Sequence, residues 1–329
     1  MLAKGSIPTR SGDTMRRIGI FGFALACLPL VSLTAQAAFW IPVVPVAGST
    51  QTDITGINDN DEIVGYYLDS EGVEHGFFGT LDGNYTFFDY DDANDPGTVI
   101  RAISNDGHMT GYANTNCGHS SCIIEFERNP DGSAVPIKNG QAVLDGMVAG
   151  INKSGEFVGD YFDADGTFHG YTGKAGRYKQ DIALPFENVG VHGRGIGTSG
   201  AIAGWFVDTT GSNYVHGFLQ ANGTTSQVDF PNPVEKDTYL SGMSGKGLIV
   251  GAWDNGNSNK SFGFEYDPSS NTFTSIKPPH AKYTQVSGAN DAGLLAVDAD
   301  VGPFVYCPQK KSQCPSGGIE VADPTSVHP

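Results

Sequence analysis

Nowhere in its 329 residues does the chain carry an apolar pattern of period 3.6 long enough for a useful helix, so a helical bundle is excluded from the start. Catalytic signatures are missing too. No GxSxG elbow, HExxH pair, Walker loop or dinucleotide fingerprint is present, and scattered Ser, His and Asp residues do not amount to a triad. Basic residues are scarce: 19 Lys and Arg stand against 36 Asp and Glu, a net charge of −17. An acidic surface repels phosphate backbones, which argues against nucleic acid as a partner. It leaves metal cations, cationic surfaces or plain solubility as readings of the charge.

Cysteine is rare, five in all. Four of them form two close pairs, Cys117 with Cys122 and Cys307 with Cys314. Neither pair has the CxxC spacing or the histidine partners of a zinc site; in an exported chain two local disulfides are the expectation. Loops this short remove little chain entropy, on the order of 2 kcal/mol each, so such bridges pin loops rather than hold a fold.

Long apolar runs are limited to Ile18–Leu33, which follows Arg16 and Arg17 and precedes Ala35, Gln36 and Ala37. This is the pattern of a secretory signal, residues 1–37, cut near Ala37 so that the mature chain starts at Ala38. A membrane anchor is the competing reading. It fails on length, because the run falls short of about 20 residues and Pro29 interrupts it. Cys27 stands after Ala24, Leu25 and Ala26, but the residues beyond it stay apolar, unlike a lipoprotein tether. Removing residues 1–37 takes out Lys4, Arg10, Arg16 and Arg17 against Asp13, leaving a net charge of about −20.

What the chain does have is a repeat. GINDNDEIVGYY, Gly56–Tyr67, followed by HGFF, His75–Phe78, returns five more times in altered form. The apolar residue of its leading segment recurs as Ile57, Ile103, Ile151, Ile196, Met243 and Ala289. A steady period of that length marks an array or a propeller. A small residue precedes each of these: Gly56, Ala102, Gly150, Gly195, Gly242 and Gly288. A turn rich in Asn, Asp, Ser and Gly follows, chemistry that closes hairpins.

The second strand of each copy carries a small residue at Gly65, Gly111, Gly159, Gly204, Gly251 and Ala296, followed in five copies by Tyr66, Tyr112, Tyr161, Trp205 or Trp253. A third strand starts near His75, Ile123, His169, His216, Phe262 and Pro303. A fourth is legible in YTFFDY, RYKQDIAL, TSQVDF and FTSI. Four short strands per unit make the blade of an all-β propeller, here six-bladed. The last copy lacks a fourth strand, and FWIPVVP, Phe39–Pro45, is placed to supply it and close the ring. Closure covers edges that would otherwise aggregate. Small residues on the axial strands then let neighbouring backbones approach. The blades fall near 53–97, 98–146, 147–190, 191–236, 237–282 and 283–308 plus 38–46, with 309–329 as a polar tail.

The GIND turn, the VGYY strand and the HGFF strand, so spaced, resemble the HAF family of extracellular repeats found in exported bacterial proteins. The likeness covers residues 53–306. The second copy departs from it at Cys117–Cys122, the fifth reads SFGF at Ser261–Phe264, and the sixth is degenerate. The resemblance implies an exported, propeller-like repeat protein, and it implies no reaction.

Candidate ligand-binding residues follow from the loops. Those joining second to third strands, and fourth to the next first, are long and acidic, and in a propeller they emerge on one face. They carry Asp69, Glu71 and Glu74; Asp89, Asp91, Asp92 and Asp95; Asp163 and Asp165; Asp208; and Asp254. Paired acids could hydrolyse glycosides, and oxygens around Asp163 and Asp165 could hold calcium, although DADG lacks the downstream Glu of an EF-hand. Trp205 and Trp253 could stack a sugar, though repeated aromatics more commonly pack between blades. His75, His169 and His216 occupy equivalent positions too far apart for one metal, so each is expected to bond a neighbouring turn. The sequence points to a non-enzymatic binding or cell-surface interaction module, a monomer recognising an extracellular protein or glycan, with a polysaccharide hydrolase or lyase as the alternative. No catalytic residue and no cofactor is assigned.

Overall fold

A computed structural model describes residues 38–90, 97–116, 121–140, 142–143, 145–209, 214–231, 237–254, 261–308, 314–315 and 319–321. The signal segment, Asp91, Asp92, Asp95 and the pairing of Cys117 with Cys122 lie outside the described residues. Among the described residues all regular elements are strands. β1 is Ala38–Pro42. The first unit is β2 Gln51–Ile57, β3 Glu62–Leu68, β4 Glu74–Thr80 and β5 Tyr85–Phe88. The second is β6 Gly97–Ile103, β7 Met109–Asn116, β8 Ser121–Arg128 and β9 Ala134–Pro136, followed by the short β10 Lys138–Asn139 and β11 Ala142–Val143. The third is β12 Gly146–Ile151, β13 Glu156–Phe162, β14 Phe168–Lys174 and β15 Arg177–Asp181. The fourth is β16 Asn188–Ile196, β17 Ile202–Asp208, β18 Val215–Ala221 and β19 Thr224–Val228. The fifth is β20 Thr238–Met243, β21 Ile249–Asp254, β22 Ser261–Asp267 and β23 Thr272–Ile276. The last holds β24 Thr284–Ala289, β25 Leu295–Ala299 and β26 Phe304–Cys307, and β27 is Ile319–Val321.

Each unit is an antiparallel meander in a propeller-like arrangement, but hydrogen bonding does not divide the chain into six separate sheets. Three sheets have four strands, one has five and one has ten. The ten-stranded sheet arises because a parallel bridge between Phe168 and Gly190 joins the third and fourth units, and Lys138 bridges Arg177. No sheet closes on itself.

The repeat acquires a physical reason at the inner strands. β2, β6, β12, β16, β20 and β24 share a bulge at one equivalent position, at Thr55, Arg101, Ala149, Arg194, Ser241 and Ser287, and β16 has a second irregularity between Asn188 and Val191. A bulge leaves its extra residue unpaired and bends the strand. The six bulged residues line one narrow axial cavity. The small residue after each bulge lies against the next inner strand: a Cβ on Gly150 would meet the Arg194 carbonyl oxygen at 2.7 Å, and one on Gly242 that of Ser287 at 2.7 Å. A Cβ on Gly288 would meet Gly56 Cα at 3.0 Å, so the first and last inner strands touch.

The Asn of the GIND turn joins units. Asn58 Oδ1 accepts from the amides of Asn60 and Glu62, each at 3.0 Å, while its Nδ2 donates to the Ser104 carbonyl of the next unit at 3.2 Å. Asn152 donates likewise to Gly197, and Asn290 to Asn58 at 3.0 Å across the two ends of the chain.

β1 pairs antiparallel with β26, Trp40 opposite Tyr306. Its side chains alternate. Phe39 and Ile41 pack with Ile54 and Phe77 of the first unit, whereas Ala38 and Trp40 pack with Val250 and Ile276 of the fifth. β1 is not the outermost strand: β27, from the expected polar tail, pairs on its far side. Cys307 and Cys314 form a disulfide.

Candidate functional site

Inner strands begin on the face from which the long loops emerge, so the residues ahead of each bulge form a mouth. Asp53 lies opposite Tyr66, Val99 opposite Tyr112, Met147 opposite Asp160, His192 opposite Trp205, Tyr239 opposite Ala252 and Gln285 opposite Asp298. This register corrects the sequence alignment of the second strands. Val297, not Ala296, stands where Gly65 does, because Val286 pairs with Val297 as Ile54 pairs with Gly65. Tyr161 and Trp253 likewise belong one position further on than Tyr66, Tyr112 and Trp205. A slip of one residue turns a side chain to the other face of a sheet. Tyr161 accordingly stacks on His169, and Trp253 is layered between Phe230 and Phe262.

At the mouth the second-strand residue meets the inner strand of the following unit. Asp160 accepts from His192 Nδ1 at 2.9 Å and from Arg194 Nη1. Burial would raise the Asp160 carboxyl, but Arg194 and His192 outweigh it and hold the group below its ordinary value. His192 is lowered, first by burial. Its ring stacks on Trp205 at 3.6 Å, and Tyr239 meets Trp205 edge-on at 5.4 Å.

Where the last unit meets the first, Asp298 and Asp53 share the wall of one cavity. Asp53 accepts from Gln51 Nε2 at 2.6 Å; burial first, and the charge on Asp53 after it, push the Tyr66 hydroxyl up. Burial, and then the charge on Asp53, push the Asp298 carboxyl up to about 7. Glu74 is raised by burial despite the hydrogen bond from Asn114. Tyr283, nearby, is pushed up to about 12, by burial first.

An acid raised on folding keeps its proton in the native chain between about pH 4 and pH 7, where the unfolded chain has released it. Folding then takes up a proton, so stability falls as pH rises through that window. Asp298→Asn keeps a donor toward Asp53 and cannot ionise. It should melt above the parent chain at pH 8, with the gap shrinking toward pH 5; a gap independent of pH would show that Asp298 carries no raised pKa.

Two cavities follow from these layers. The axial throat beneath the mouth encloses about 50 Å³ and is walled by the bulges. A larger cavity of about 520 Å³ opens between the last and first units, lined by Gln51, Asp53, Tyr283, Asp298 and Asp300 among others. That volume lies within the roughly 300–1,000 Å³ usual for small-ligand sites.

No family model matches the sequence, and no curated protein matches it. Solved structures do. TolB from Acinetobacter baumannii aligns at a TM-score of 0.50 with 14% identity, over 75% of this chain and 63% of that one. The chain therefore spans less than two thirds of that protein. The Aleuria aurantia lectin aligns at 0.47 with 12% identity, over 83% of this chain and 100% of that one. A gluconolactonase of Xanthomonas campestris aligns at 0.48 with 12% identity, over 85% and 94%. The fold is propeller-like.

In this propeller-like frame most of the loop acids serve the loops. Asp69 Oδ1 accepts from the amides of Glu71 and Val73, and its other oxygen lies 3.5 Å from His75 Nε2. Asp163 does the same with Asp165, Thr167 and His169. Both carboxyls are held below their ordinary value, first by these backbone amides. Asp208 lies 3.5 Å from His216 Nε2, and His216 Nδ1 reaches Asp229. Each of the three histidines thus clamps a turn, as its position suggested.

The Asp163 oxygens are taken by N–H donors, which opposes the calcium reading of that loop. No group of three or more His, Cys, Asp or Glu able to hold a metal lies among the described residues. Glu71 is exposed, and Asp254 contributes its amide to a bond with Asp237. Trp253 is a packing residue. Of the candidates among the described residues, Glu74 and Trp205 reach the mouth. Asp53, Tyr66, Arg101, Asp160, His192, Arg194 and Asp298 escaped notice because they sit within strands. The bulge that aims the arginines leaves no trace in residue type, only one extra residue between paired apolar positions.

Among the described residues no helix is long and apolar enough to cross a membrane. The Cys307–Cys314 disulfide is compatible with an oxidising, extracytoplasmic setting.

Proposed function

We propose that the chain is an exported six-bladed β-propeller of HAF-like repeats, sealed between its two ends by β1, that recognises an extracellular glycan at its axial mouth and does no chemistry on it. The observation that carries this is the 520 Å³ cavity between the last and first units, with Asp53 and Asp298 together in its wall. Glycosidases hold their two acids about 5 Å apart for retention or about 6.5–9.5 Å apart for inversion. Asp160 is committed to Arg194 and His192, so it is not free to serve as the second acid of such a pair. Carboxylates beside the Tyr283 ring in that cavity, with Trp205 elsewhere on the mouth, suit sugar hydroxyls and the apolar face of a sugar ring.

The test is a glycan array probed with the chain from Ala38 onward, together with a reducing-sugar assay on the glycans that bind. Binding without cleavage, unchanged by a calcium chelator and weakened at least tenfold by Trp205→Ala, is expected. Release of reducing ends would overturn the non-enzymatic reading, and an empty array the glycan reading.

A further inference from the structure

We infer that the axial throat is an oxyanion site, and that the saccharide bound at the mouth carries a carboxylate or sulfate which Arg101 receives. This rests on the reading of the mouth as a glycan site and adds the charge class of the ligand.

Two arginines stand in the bulge ring, and they differ. Arg194 is neutralised by Asp160. Arg101 has no carboxylate within ion-pair distance among the described residues, and its Nε is buried without a hydrogen-bond partner. The charged groups nearest it in effect are Arg194 and Asp160, with the neutral phenols of Tyr112 and Tyr66. A half-buried cation left unpaired, with its Nε fully enclosed, is costly to a fold. With 36 acidic residues against 19 basic ones, a partner would be the easiest thing for this chain to supply. Leaving the guanidinium open toward the axis is therefore informative.

A guanidinium binds carboxylate and sulfate oxygens through paired N–H donors. The throat, about 50 Å³, exceeds the roughly 10–15 Å³ that one water needs but is too small for a sugar ring. It suits a terminal oxyanion whose ring stays above, in the mouth beside Trp205. Ser241 and Ser287 flank the throat from the opposite side of the ring.

Titration calorimetry with an oligogalacturonate, a sulfated dextran oligosaccharide and a neutral dextran oligosaccharide tests this, and the first two arms separate carboxylate from sulfate. At least one charged probe should bind tenfold or more tighter than the neutral one. Arg101→Met should abolish that preference. Because the substitution orphans no partner, Arg101→Met should also melt at or above the parent temperature. Equal binding of charged and neutral probes, a preference that survives Arg101→Met, or a marked fall in its melting temperature would each overturn the oxyanion site while leaving the mouth reading intact. Failure of all three probes together with an empty glycan array would overturn both.

Discussion

Gly195→Val should lower the melting temperature by roughly 5–10 °C. A Cβ at this position would lie 2.5 Å from the Met243 amide nitrogen and 2.7 Å from the Gly242 carbonyl carbon, both backbone atoms of the neighbouring inner strand. Backbone cannot swing aside as a side chain can. Overpacking typically costs about 1–3 kcal/mol, and each kcal/mol moves the midpoint of a large domain by about 2–4 °C. The strain falls on the contact between β16 and β20, where one unit meets the next. Gly190→Ala is the control, since its Cβ would meet nothing nearer than Phe168 Cβ at an ordinary 3.4 Å. It should stay within about 0.5 kcal/mol of the parent. Thermal melts of the two variants decide the matter; equal midpoints would mean that the inner strands are not pressed together.

Trp40→Ala should cost more, about 3–5 kcal/mol, the usual range for removing a buried Trp. Trp40 is 5% exposed and packs against Tyr306 at 4.9 Å and Phe304 at 5.9 Å between ring centroids. It also reaches Val250 and Ile276 of the fifth unit, so its loss loosens both the strand pairing and a seam between units. Val44, two residues past β1 and 46% exposed, gives the comparison. Val44→Ala should change stability by no more than about 0.5 kcal/mol. Denaturant unfolding of both variants separates the two cases: a Trp40→Ala curve overlying that of Val44→Ala would mean that β1 is not packed into the fold.

Much of this architecture was legible because the repeat writes its constraints into residue type. A glycine must stand where inner strands touch, an Asn where one turn accepts its own amides and reaches the next, and FWIP where a strand is missing. The sites were less legible, for two physical reasons. Tyr161 and Trp253 follow Gly159 and Gly251 by two residues where Tyr66, Tyr112 and Trp205 follow their glycines by one, so grouping them by aromatic type joined residues on opposite faces, and the inner-strand bulges that aim Arg101 and Arg194 leave no mark in residue type. Proximity across the ends of the chain also has no sequence spacing: Asp53 and Asp298 meet only because the last unit abuts the first. The acidic loops misled in the other direction, since Asp69 and Asp163 are acidic in order to accept the amides of their own turns.

Closure of the ring by β1 is the claim on which the mouth depends, because Asp53 and Asp298 come together only there. Native-state hydrogen exchange on the chain from Ala38 onward measures it directly. The amides of Trp40 and Ile41 should exchange as slowly as those of β25 and β26, in the slowest class of the molecule. Exchange of those two amides at the rate of an unfolded tail, with β26 still protected, would contradict closure and remove the site with it.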